Sequence, residues 1–154
     1  MAVYGFKVVS GANDTVTRKM LVKNSSTITK GDPVFLENAA GENALDLAAA
    51  AEPIYGIALE TVTGNGTNKI LVLTRLDDVI FEIDNDNVGN IFGATNFGGG
   101  NYFDITGATG AVLVDTSTGT TISATKALVC VDDSPDTGDV SLGHFKIVKS
   151  MLQA

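Results

Sequence analysis

The chain holds a single histidine, His144, and a single cysteine, Cys130. Nucleophilic catalysis needs a base within hydrogen-bond reach of its nucleophile. Here the pair would have to come from "ALVCVDD" and "SLGHFKIV". Cys130 stands among apolar residues, the setting of a buried structural thiol, and one cysteine forms no internal disulfide. His144 reads as a surface or edge residue on a terminal strand. No serine lies in a Gly-x-Ser-x-Gly elbow, and no His, Cys and carboxylate cluster has zinc spacing. These residues argue against an enzyme.

The acidic loops are the next candidates for chemistry. "DNDN" (Asp84, Asp86) and "DDSPDTGD" supply hard oxygen ligands of the kind calcium takes. "DNDNVG" begins like an EF-hand loop, but its fifth position is Val88 and its twelfth is Thr95 rather than Glu. A calcium site of another kind would draw on Asp132, Asp133 and Asp136; the ordinary reading is solvated loop tips that keep the protein soluble. "FGGGNY" has the bare backbone of a phosphate loop but lacks the Gly-Lys-Ser/Thr ending and the helix that must follow. "TGNGTNK" ends in Lys69 but has neither the spacing nor the helix. No cofactor is expected.

Charge points the same way. The net charge of −8 repels phosphate backbones, and Lys19, Lys23 and Lys30 are scattered among polar residues as on a solvated face. No nucleic-acid partner is expected. There is no tryptophan and aromatics make up 6%, thin material for stacking sugars or bases. No apolar run reaches the ~18 residues of a membrane span. The start, "MAVYGFKVVSG", has neither the basic residues nor the apolar stretch of a signal peptide, so assembly in the cytoplasm is expected.

The elements that must position these residues are strands. Apolar residues make up 44% of the 154, enough for a globular core. Thr, Val and Ile are frequent, and Gly- and Asn-rich turns recur about every ten residues. Strands are expected near Phe6–Val9, Thr17–Val22, Pro33–Glu37, Ile54–Thr61, Ile70–Leu73, Val79–Ile83, Tyr102–Ile105, Ala111–Asp115, Ala127–Val131 and His144–Val148. "KILVLTRL" reads as a strand buried on both faces, and "TGNGTN" as the hairpin tip before it. In "AAAAEPIYGIALE", Pro53 limits any helix over Leu47–Ala51 to one or two turns. Gly56 inside the strand that follows signals a bulge or close packing. A helical turn is also expected around Val88. The fold class is mainly β: a small barrel or sandwich with Gly-rich loops and at most one or two short helices. Residues 15–154 form one β-rich domain, and "SGAND" leaves room for an extended N-terminal arm over residues 1–14.

Two motifs carry a family resemblance. Gly31-Asp32-Pro33-Val34 opens a strand. After a run of small residues, Ile54-Tyr55-Gly56-Ile57-Ala58-Leu59-Glu60 forms another, followed by the apolar Ile70–Leu73. This order, over Lys30 to Arg75, resembles the head decoration, or cement, proteins of tailed bacteriophages. The resemblance implies a β-rich homotrimer on the capsid exterior. It would bind the major capsid protein shell at three-fold positions and clamp the expanded head against packaged DNA, without cofactor or turnover. It also implies an N-terminal arm along the capsid or a neighbouring subunit, with Val3, Tyr4, Phe6 and Val8 as apolar anchors. The plain alternative for these four is a first strand of the domain itself. Other readings left open are a tail-tube or head–tail joining protein, and a calcium- or carbohydrate-binding β-module.

Overall fold

The computed structural model describes residues 5–11, 17–39, 42–50, 52–76, 79–86, 102–120, 126–133 and 142–148. Among the described residues thirteen strands run in chain order: β1 (Lys7–Ser10), β2 (Thr17–Leu21), β3 (Thr27–Ile28), β4 (Pro33–Ala39), β5 (Glu42–Leu47), β6 (Gly56–Ala58), β7 (Val62–Thr63), β8 (Lys69–Leu73), β9 (Ile80–Asp84), β10 (Tyr102–Thr106), β11 (Leu113–Thr120), β12 (Leu128–Asp133) and β13 (Leu142–Ile147). The described residues contain no helix. The short helix allowed over Leu47–Ala51 is absent from its described part, because β5 occupies the chain as far as Leu47. The turn expected around Val88 lies outside the described residues.

The strands form three antiparallel sheets. A six-stranded sheet has the order β1-β9-β13-β12-β10-β11, a five-stranded one β2-β8-β6-β4-β5, and β3 pairs with β7 alone. Among the described residues none closes into a barrel. The five-stranded sheet curls until its outer strands touch: Val22 bridges Leu45, and the Lys23 N–H donates to the Leu45 carbonyl at 2.9 Å.

Alternation along the strands sorts side chains into two cores. The larger lies between the two main sheets and holds Ile57 and Leu73 from one and Phe81, Ile83, Phe103, Ile105, Cys130 and Phe145 from the other. Edge-to-face ring pairs tie it together: Phe6 with Phe81 at 5.5 Å, and Phe103 with Phe145 at 6.2 Å. The smaller core fills the inside of the curled sheet with Val22, Ile28, Val34, Leu45, Tyr55, Ala58, Ile70 and Val72. Strand β8, between β2 and β6, thus serves both cores, Ile70 and Val72 facing one and Leu73 the other, as its unbroken apolar run predicts.

The connection before β8 is shaped by one side chain. Asn65 Oδ1 accepts from the Thr67 N–H at 3.0 Å and the Asn68 N–H at 2.8 Å, mimicking a backbone turn. Where β6 ends, the Glu60 carboxylate accepts the Leu71 N–H at 3.1 Å in place of a strand carbonyl. Within residues 1–14, where the sequence leaves room for an arm, residues 7–10 are the edge strand β1, paired with β9 from Lys7↔Glu82 to Ser10↔Ile80.

Candidate functional site

The segments Gly31–Val34 and Ile54–Glu60 meet in space. The Gly31 N–H donates to the Ala58 carbonyl at 2.8 Å, and the Ala58 N–H returns a bond to the Asp32 carbonyl at 2.9 Å. The Gly31 carbonyl accepts the Phe6 N–H at 2.8 Å, bringing the lead into β1 to the same point. Gly31 holds φ at 92°, a left-handed conformation that side chains disfavour. The Asp32 side chain is fully buried. Its carboxylate accepts the Thr29 N–H at 2.8 Å, the Thr109 hydroxyl at 2.6 Å and the Gly110 N–H at 3.0 Å. Thr109 and Gly110 belong to the turn between β10 and β11, so one carboxylate pins the β10–β11 turn of the six-stranded sheet to the turn entering β4. In the sequence Asp32 stands only as part of a strand-entry motif; partners 77 and 78 residues away leave no local signal.

Beside this junction lies a groove of about 370 Å³, lined by Phe6, Lys7, Val8, Lys30, Gly31, Ile57, Ala58 and Leu59. Its floor is apolar and its two lysines are exposed. Phe6, expected as an apolar anchor for a partner, is only 5% exposed and packs inside the fold on Phe81. Val8 is half-buried against the same core. Both therefore follow the plain first-strand alternative, because β1 pairs with β9 and turns them over the sandwich. Val3 and Tyr4 lie outside the described residues.

The titratable residues fall in separate places. His144 is not on an edge: β13 sits between β9 and β12, and the imidazole is 12% exposed with Nε2 3.4 Å from the Glu82 carboxylate. The last strand in the chain is thus an inner strand of the sheet, since antiparallel connections do not require it to be the outermost. Phe145 points into the core, so His144 lies on the opposite face from Cys130, whose thiol is buried in that core. The two cannot act as a nucleophile and base. The backbone register sets Asp132 opposite His144 and Asp133 opposite Gly143. Asp136 lies outside the described residues. Among the described residues no three His, Cys, Asp or Glu side chains converge as a metal site would require.

A third polar group closes the curled sheet. Lys23 Nζ bonds to Glu37 at 2.7 Å and to Asp46 at 3.0 Å, and the Ser26 hydroxyl donates to Asp46 at 2.8 Å. The bonds to Glu37 and Asp46 raise the Lys23 ammonium well above its ordinary range. For Asp46, burial pushes the carboxyl up, but the bonds from Lys23, Ser26 and the Leu47 N–H together outweigh it and hold it below its ordinary 3.8. A depressed folded-state value contributes stability that is present above the unfolded-state value and lost as pH falls through the folded one. Asp46→Asn is therefore expected to flatten the acid limb of the stability curve below about pH 4 while barely changing its slope near neutrality. Thermal melts across that range check this; parallel limbs for both proteins would refute it.

Comparison of the chain with protein-family models and with the sequences of curated proteins gives no match.

Proposed function

We propose that this protein is a structural component of a tailed-phage virion. In this reading it is a capsid decoration protein that binds the outer surface of the major capsid protein shell as a homotrimer and stabilises the expanded head. It assembles in the host cytoplasm and works without cofactor, turnover, membrane or nucleic acid. The observation that carries the reading is the junction of Gly31-Asp32 with Ile54–Glu60. The motifs that resemble decoration proteins interlock there, and their polar groups hold one sheet to the other. A rigid sandwich braced in this way suits a protein whose work is adhesion. Such adhesion rests on buried area and shape, about 1,600 Å² for a stable interface, and is multiplied by the many copies on a shell.

The test is a decoration assay. Purified protein is mixed with expanded shells that lack it, and bound copies are located by cryo-electron microscopy. Trimeric density over the three-fold positions is the expected result. Density confined to the tail or portal vertex, or no binding at all, would overturn the reading.

A further inference from the structure

We propose that Asn65 is a site of spontaneous deamidation, with the Gly66 backbone nitrogen as nucleophile and water as the only co-reactant. The proposal is independent of the capsid reading. Asn65-Gly66 is the one Asn-Gly pair in the 154 residues, and it lies in the turn between β7 and β8. Both residues are exposed. Glycine has no side chain to shield its own nitrogen. Gly66 holds φ at 91°, and a Cβ built on it would meet nothing within 4 Å, so water reaches this nitrogen freely. Among the described residues the Gly66 N–H has no hydrogen-bond acceptor.

The electrophile is prepared by the same turn. Asn65 Oδ1 accepts from the Thr67 N–H at 3.0 Å, the Thr67 hydroxyl at 3.0 Å and the Asn68 N–H at 2.8 Å. Donors at these distances stabilise the negative charge that develops on Oδ1 when a nucleophile adds to Cγ. Hydroxide takes the Gly66 amide proton and becomes water. The Gly66 nitrogen then bonds to Cγ, and the Cγ–Nδ2 bond breaks. Nδ2 takes a proton from water and leaves as ammonia, which restores the hydroxide and leaves a succinimide ring. Water opens the ring at either carbonyl. Breaking the bond from the nitrogen to Cγ gives aspartate. Breaking the bond from the nitrogen to the Asn65 main-chain carbonyl carbon gives isoaspartate, whose main chain runs through Cγ. Asn24-Ser25, also exposed, is the comparison within the chain. Ser25 carries a side chain beside its nitrogen, and its N–H is held by the Gly64 carbonyl at 3.0 Å. Asn24 should therefore stay intact while Asn65 converts.

Incubation of the whole chain in warm, mildly alkaline buffer tests this, with peptide mass mapping and isoaspartyl methyltransferase labelling as readouts. The expected products are aspartate and isoaspartate at Asn65. Each event adds a negative charge to a chain already at −8, so anion exchange follows the time course. The rate in the folded chain should exceed that of the same chain unfolded in urea, where the three donors no longer converge on Oδ1. T67A removes the hydroxyl donor and should slow conversion by about two- to tenfold, the rate equivalent of one ordinary hydrogen bond. T67S should restore the wild-type rate. Thr67 is exposed, so both variants should melt with wild type. An Asn65 that stays intact, an Asn24 that converts as fast, a folded rate at or below the unfolded one, or a T67A rate at or above that of wild type would each overturn the proposal.

Discussion

Replacing Asp32 with alanine is expected to lower the unfolding free energy by about 3–5 kcal/mol, a large part of the ~5–15 kcal/mol that holds a domain of this kind together. The carboxylate is fully buried and accepts three hydrogen bonds from two turns. Bonds to an ionised group contribute about 1.5–3 kcal/mol each, and a buried donor left without its acceptor costs about 1–3 kcal/mol. Alanine strands the Thr29 and Gly110 N–H groups together. Asp32→Asn is the milder form: one oxygen still serves Gly110, but an amide NH₂ then meets the Thr29 N–H, donor against donor. Its expected cost is about 2–3 kcal/mol. Thr109→Val removes one donor and should cost about 1–2 kcal/mol. Urea midpoints for the three variants should rank in that order. Asp32→Asn with Thr109→Val should cost less than the sum of the two, because each breaks the same bond. An Asp32→Asn midpoint equal to that of wild type would refute the bracing role.

This junction also marks how far the sequence could be read. Ten strands are legible from alternation and turn residues, and each has a counterpart near its expected place, β8 with its burial on both faces as well. β5 is not legible. "ENALDL" has a polar start and runs straight into the four alanines Ala48–Ala51, and only its pairing with β4, Val34↔Leu47 through Ala39↔Glu42, makes it a strand. β3 and β7 have two residues each, too short for any period to show. The same limit hides the candidate site. Lys7 and Lys30 come from separate elements, and Asp32 finds Thr109 across half the chain; no spacing along the sequence encodes either meeting. The inner position of His144 is hidden for a related reason, since strand order is a property of the sheet and not of the chain. What the sequence does carry is local demand, and Gly56 is its clearest case.

Gly56→Ala is expected to destabilise the fold by about 3 kcal/mol or more, at the upper end of overpacking costs. Gly56 opens β6, which is squeezed between β4 and β8. A Cβ there would run into the Val72 side chain and sit 2.6 Å from the Leu73 carbonyl oxygen. Neither obstacle can retreat. Val72 is fully buried in the smaller core, and β8 is held from its other side by β2, with Arg18 opposite Val72 and Thr17 opposite Leu73. The demand for close approach is therefore set by backbone as well as side chain, which makes a specific pattern testable. Val72→Ala removes the methyl groups in the way, so Gly56→Ala should cost less in that background than in wild type. It should not become neutral, because the Leu73 carbonyl remains. A double-mutant cycle read by urea unfolding measures this coupling. Strict additivity would show that the Val72 contact is not what excludes a side chain at Gly56. Because Ile57 and Ala58 form one wall of the lysine-rimmed groove, a shift of β6 away from β8 would also reshape that groove.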